Sequence, residues 1–325
     1  VILLFASCKK EEIPDPDPDP DIPEYNINIF NCSNSGLPDN SVNHVSIDNY
    51  GNKWIATNNG LAVFDGSIWT VYDTTNSGLP DNEITTVRID PSGDTWIGTV
   101  KGLIRFDGAQ WDVYTKSNSD LPADKIRSLD FDSQGNVWIG TYTGGGLATF
   151  DGSDWTVYTP GNSDLPNSSV GAVAVDNGDV VWLGTGGGMA KLDGSEWTVY
   201  NPSNSGILSS SVYSITIDPE NNKWIGTNSG LNKFDGTNWT DFTAENSDIP
   251  INLIRPITIV NNGIIWIGTE GGGLVKFDQI QWELFDTENS DIPDNNIKSI
   301  AADTEGGIWI GTDNGLALLT GEKSL

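Results

Sequence analysis

The chain is poor in the side chains that most chemistry needs. Its 325 residues include one histidine, His44, and two cysteines, Cys8 and Cys32. A Ser-His-Asp triad or a multi-histidine metal site would have to be built on that single imidazole. No motif in the sequence asks for a cofactor or a metal. Cations are scarce as well: 16 Lys and Arg stand against 45 Asp and Glu, for a net charge of −29. That balance argues against a nucleic-acid partner and against adhesion to anionic lipid. Nowhere does a helical hydrophobic period appear, which excludes solenoids of helices.

What the chain has in abundance is repetition. The phrase W-I-G-T, loosened to W-I-A-T or W-L-G-T, begins at Trp54, Trp96, Trp138, Trp182, Trp224, Trp266 and Trp309. The copies are spaced by 42, 42, 44, 42, 42 and 43 residues. A fixed period of this size means one supersecondary unit copied until the copies bury each other's apolar faces. Within a copy, four short runs rich in Val, Ile, Thr and aromatics are separated by Gly, Asp, Asn and Pro, which is strand and turn punctuation. Asp-Gly pairs such as Asp107-Gly108 mark tight hairpins. The sixth copy has Asp278-Gln279 there, and a longer or different turn is expected. Four antiparallel strands per copy, repeated radially, is the blade of an all-β, seven-bladed β-propeller.

The two ends carry an independent sign of closure. Six copies finish with W-x-x-Y or W-x-x-F, but the last stops after Leu316-Ala317-Leu318-Leu319. Near the N-terminus, Ile27-Asn28-Ile29-Phe30 is followed by Asn34-Ser35-Gly36-Leu37-Pro38, in the register of Tyr72 and Asn76-Ser77-Gly78-Leu79-Pro80. A strand over residues 26–30 is therefore expected to complete the last blade, which removes an open sheet edge. The thirteen Trp residues fall into the W-I-G-T and W-x-x-Y/F sets with none left over, and so read as packing. The D-x-x-G-x-x-W turns, such as the one from Asp48 to Trp54, lack the ligand density of a calcium loop.

Ahead of the propeller, expected over 25–325, stand two other segments. Residues 1–8, V-I-L-L-F-A-S-C, read as the tail of a secretory signal with the lipobox Phe5-Ala6-Ser7-Cys8, in which Cys8 carries lipid and anchors the protein to a membrane. Residues 9–24 read as a disordered Asp/Pro tether that reaches roughly 35 to 50 Å at about 3 Å per residue. With Cys8 lipidated, Cys32 has no disulfide partner. The start Lys9-Lys10-Glu11-Glu12 resembles the export tag of surface lipoproteins in Bacteroidetes, which implies an outer-membrane lipoprotein exposed at the cell surface.

The repeat N-S-x-L-P-x-N-x-V-x-x-I-x-x-D-x-x-G-x-x-W-I-G-T-x-x-G-L resembles the two-component regulator propeller repeat. It stands here as Asn76-Ser77-Gly78-Leu79-Pro80 through Trp96-Ile97-Gly98-Thr99 and Gly102-Leu103. The resemblance implies a propeller like those of periplasmic sensor domains that detect oligosaccharides. These 325 residues hold seven repeats and no segment that reads as a kinase or response regulator, so the propeller and ligand binding are what is expected to carry over.

A ligand site must break the symmetry of the repeat. The residue after the first Val/Ile of each blade does so: Asn43, Thr85, Arg127, Gly171, Tyr213, Arg255 and Lys298. The turn after W-I-G-T varies as well, with Lys101, Tyr142, Glu270 and the glycine runs 144–146, 186–188 and 271–273. Arg127, Tyr142, Tyr213, Arg255, Lys298, His44 and Lys101 are the expected ligand-binding residues, around a partly cationic mouth. Arg grips carboxylates and Tyr stacks on sugar faces, so an oligosaccharide is the expected ligand of a monomeric, non-catalytic propeller. Two alternatives stay open. One is a docking scaffold for another envelope protein; the other is a polysaccharide lyase drawing on His44, Tyr213 and Arg255. Neutral drift at exposed positions would also produce such variable columns.

Overall fold

The computed structural model describes residues 25–142, 144–260 and 263–321. The lipid anchor expected at Cys8, the tether and Thr143 lie outside them. Every regular element among the described residues is a strand, and the strands form seven four-stranded antiparallel sheets. Blade 1 consists of Val42–Ile47, Lys53–Thr57, Gly60–Phe64 and Trp69–Tyr72, in that order from the axis outward. Blades 2 to 6 repeat this pattern over 84–114, 126–158, 170–200, 212–242 and 254–285.

Each W-I-G-T phrase is the second strand of its blade, and its residues are almost all buried because neighbouring blades cover both faces. The apolar clusters show how. Trp54 and Ala56 of blade 1 pack with Ile84, Val87, Ile97, Ile104 and Phe106 of blade 2, and the other clusters likewise straddle two blades. The glycine of the phrase permits this approach. A Cβ on Gly98 would come within 2.7 Å of the Ile126 side chain on the next blade.

The polar half of the repeat builds turns. In six blades the Asp six residues before the Trp accepts a hydrogen bond from the indole Nε1, as Asp90 does from Trp96 at 3.0 Å. The other carboxylate oxygen accepts amides of the same turn, as Asp48 does from Tyr50 and Asn52. In the N-S-x-L-P loop, the Asn76 amide donates to the Val71 carbonyl and the Ser77 hydroxyl to the Asp73 carbonyl. The leucine that follows, Leu79, is buried. Satisfied in this way, the loops are rigid connectors between blades.

At the turn of blade 6 the expectation fails. Asp278-Gln279 forms no longer loop. The Asp278 amide still donates to the Gln281 carbonyl at 3.2 Å, and the Asp278 carboxylate accepts the amides of Ile280 and Gln281. Gln279 simply adopts φ 75, where its counterparts are glycine. A left-handed non-glycine residue costs about 1–2 kcal/mol, less than the carboxylate-anchored turn retains.

The ring closes as the ends of the sequence suggest. Strand Asn26–Phe30 pairs antiparallel with Leu316–Thr320, from Asn26 opposite Thr320 to Phe30 opposite Leu316. Blade 7 is thus made of both ends of the chain. Phe30 stacks on Trp309 of blade 7, with ring centroids 5.7 Å apart, and meets Phe64 and Trp69 of blade 1. One side chain spans the seam. Deleting 25–31 should abolish the cooperative unfolding transition, and Phe30→Ala should cost about 3 kcal/mol in urea denaturation. A deleted protein that melts as the intact one does would disprove the closure.

Candidate functional site

The inner strands surround a central channel of ≈ 1240 Å³. All seven members of the first variable column line it: Asn43, Thr85, Arg127, Gly171, Tyr213, Arg255 and Lys298. The reason is a β-bulge in the same place in every blade. The pairing of the inner strand with its neighbour slips at this residue, as between Ile126 and Ser128 around Arg127. A bulged residue escapes the ladder and its side chain is re-aimed, here into the channel. In blade 6 the slip extends over Arg255 and Pro256, since Pro256 has no N–H to pair.

The second variable column divides. The residue directly after the Thr of W-I-G-T faces the channel, as Asn58, Tyr142, Glu270 and Asp313 do. The next residue turns its amide onto that Thr hydroxyl and its side chain away. Lys101 is of this second kind. Its amide donates to Thr99 Oγ1, and its ammonium pairs with Asp81 of the inter-blade loop at 2.6 Å. Lys101, expected among the ligand-binding residues, is not one of those that line the channel.

Two of the three column cations are already engaged. Arg255 donates from Nε to Glu270 at 2.6 Å and lies 3.9 Å over the Tyr213 ring. Lys298 donates to Ser41 Oγ at 2.8 Å and to Asp313 at 2.9 Å. Arg127 differs: among the described residues it has no acceptor. Desolvation in the channel and the charge of Arg255 both lower its proton affinity, while Tyr142 acts the other way. Its side chain is nonetheless exposed at the channel mouth with its donors free, a geometry in which a guanidinium can take a carboxylate.

Blade 4 opens a space beside it. Both of its mouth positions are glycines, Gly171 and Gly186, between Arg127 and Tyr142 on one side and Tyr213 on the other. A Cβ on Gly171 would meet nothing closer than 3.5 Å. Tyr142 is 45% exposed, with the Lys125 ammonium 5.4 Å from its ring centroid. Arg127, Tyr142, Tyr213 and this glycine sector form one contiguous mouth. Sequence reasoning noted the glycine runs but missed Gly171 as an opening, because a missing side chain gives no positive signal.

His44 also lines the channel, one residue deeper. Its Nδ1 is buried without a hydrogen-bond partner. Burial above all, then the charge of Arg88, lowers its pKa to about 3, against a weaker opposing effect of the Val87 backbone. The ring is neutral at physiological pH and a poor base, whereas general-base catalysis wants a pKa near the working pH.

Three segments, 78–101, 120–143 and 291–314, match the family Two component regulator propeller. No curated protein sequence matches the chain. Among solved structures, the chain is similar to one named as the extracellular domain of the hybrid two component system BT3049 from B. thetaiotaomicron. Identity is 24% and TM-score 0.79, over 91% of this chain and 42% of that one. It is also similar to virginiamycin B lyase from Staphylococcus aureus, at 17% identity and TM-score 0.72, over 91% of this chain and 99% of that one. A third is PorZ, a surface component of the type-IX secretion system of Porphyromonas gingivalis, at 19% and 0.69, over 89% and 47%. The chain thus spans less than half of the BT3049 domain and of PorZ.

Because the folded chain takes up the His44 proton less readily than the unfolded one, the stability it confers is full above pH 6.5 and is lost as pH falls toward 3. Unfolding free energy should drop by up to about 1.4 kcal/mol per pH unit between roughly pH 6.5 and 4.5. His44→Ser, the residue of blades 3, 5 and 7 at this position, should flatten that slope. Denaturant titrations at several pH values decide the matter.

Proposed function

We propose, for a chain that carries two-component regulator propeller repeats in a closed seven-bladed ring, that its channel mouth is a non-catalytic binding site for an acidic oligosaccharide. The observation that carries this reading is Arg127, a cation exposed in the channel with no acceptor among the described residues, beside an open glycine sector. A uronate carboxylate fits the guanidinium fork, and the sugar rings fit against Tyr142 and Tyr213. The scaffold has a likeness among extracellular domains of two component systems, which suits a sensor-like role at the cell envelope. Held there by lipid at Cys8, a monomeric disc on a tether samples solutes near the membrane.

The lyase reading is weaker. A structure of a lyase shares the fold, but the single histidine of this chain binds protons too weakly to serve as base near neutral pH. A scaffold reading, supported by the likeness to PorZ, predicts a protein partner in place of a glycan.

Isothermal titration with uronic-acid-containing oligosaccharides tests the proposal. Arg127→Ala and Gly171→Leu should each weaken binding by about tenfold or more, on the order of 1.4 kcal/mol. Neither should lower the melting temperature, since Arg127 gains no partner in the fold and Gly171 has room for a side chain. Absence of binding to any acidic oligosaccharide, or binding indifferent to both substitutions, would sink the reading.

A further inference from the structure

On the face opposite the channel mouth, near the Asp-Gly turns, the W-I-G-T tryptophans line the crevices between blades. Six of the seven are nearly fully buried; Trp138 alone is not. The difference lies in what covers each ring. Trp54, Trp96, Trp182, Trp224 and Trp309 each meet a Phe of the following blade, such as Phe234 against Trp182 at 6.1 Å. Trp138 faces Leu192 instead; Trp266 likewise has Leu319 for a phenylalanine, but there Phe285 and Tyr25 complete the cluster that buries it. Across its own sheet Trp138 pairs with Thr149, where blades 2, 4, 5 and 6 have Arg105, Lys191, Lys233 and Lys276 and blades 1 and 7 have the apolar Val63 and Leu318. Only at Trp138 do a leucine in place of phenylalanine and a short polar residue across the sheet coincide, and a crevice of ≈ 460 Å³ remains between blades 3 and 4.

The molecule itself shows what belongs over such a ring. In three other crevices a lysine ammonium lies over the W-I-G-T indole. Lys223 is 4.4 Å from the Trp182 centroid, Lys233 is 5.1 Å from Trp224 and Lys53 is 5.1 Å from Trp309. Lys223 also pairs with Asp176 at 3.4 Å, and the pair is buried. Lys223 and Lys53 come from the residue just before the Trp of the following blade; the equivalent residue over Trp138 is Val181. Around Trp138 the carboxylates are present and no ammonium lies over the ring. Asp132, Asp151, Asp154, Asp179 and Asp193 line the crevice with no Lys or Arg among the lining residues. Asp132, Asp151 and Asp179 are occupied by turn and inter-blade hydrogen bonds, and Asp193 pairs with Lys191. Asp154 accepts only a 3.4 Å contact from Ser153 with its carboxylate. An indole face beside carboxylates attracts a cation by its quadrupole and their charge together.

We infer that this crevice receives the ammonium of a lysine side chain presented by a partner polypeptide, seated over Trp138 with Asp154 as its counter-ion. A net charge of −29 draws such a segment toward the disc. The site is separate from the channel mouth and does not rest on the glycan reading.

The probe is the peptide acetyl-Gly-Gly-Lys-Gly-Gly-amide, with a norleucine peptide of the same length as control, titrated into the full chain and followed by NMR. The lysine peptide should bind in the millimolar range and the norleucine peptide about tenfold more weakly or not at all. Thr149→Lys should place the chain's own ammonium on Trp138, as Lys233 lies on Trp224. It should abolish peptide binding while the melting temperature holds or rises. Asp154→Asn should weaken binding several-fold, and Arg127→Ala should leave it unchanged. Equal binding of the norleucine peptide, or binding undisturbed by Thr149→Lys, overturns the inference. So does a crevice that takes a neutral trisaccharide in preference to the lysine peptide.

Discussion

No blade of this protein can bury its own tryptophan. The indole stands on one face of a four-stranded sheet beside an aromatic ring of its own outer strand, and the next blade supplies the rest of the apolar surface that removes it from water. Every blade is therefore half of two packing interfaces, and a linear array would leave one face bare at each end. The pairing of Asn26–Phe30 with Leu316–Thr320 removes that cost by making the last blade from both termini. Phe30, between Trp309 and Phe64, belongs to the core of both neighbours at once. The rigidity of the channel, the position of the bulges and the fit of the loops all presuppose that the ring is closed.

The same constraint separates residues that hold the blades from residues free to act. An Asp that accepts from Trp Nε1, an Asn that caps the strand before it and a Gly that admits the neighbouring blade recur because each copy needs them. Function has to be sought where a copy lacks what its sisters have. The channel mouth is one such place, with Gly171 and Gly186 for side chains and Arg127 without a carboxylate. The crevice over Trp138 is another, with Thr149 for a cation and Leu192 for a phenylalanine. In both, removal of a packing group leaves aromatic surface and charge accessible without loosening the sheet beneath.

Much of the architecture was legible in the chain because repetition exposes it. Strand number, blade number and closure all follow from the spacing of W-I-G-T and the displaced terminal strand. The candidate site was legible only as a set of columns. That Asn43, Thr85, Arg127 and their equivalents point inward was a reading of variability; the bulge that aims them leaves no mark in the sequence. Lys101 was grouped with Tyr142 because the turns after W-I-G-T differ in length, and counting from the repeat then mixed inward and outward positions. Gln279 looked like a sign of a longer turn, yet the Asp278 carboxylate holds the short one at positive φ.

What the sequence by itself determined is the fold: a hydrophobic pattern of period two, turn residues at fixed places and seven copies admit one way to bury the tryptophans. What only the tertiary structure decided is which charges are spent. Arg127, Arg255 and Lys298 occupy one column and are indistinguishable there. Glu270 and Asp313 reach two of them across the turn, and among the described residues none reaches the third. Charge pairing depends on distances of a few ångströms between residues on different strands, and a repeat pattern, being local, does not carry that information.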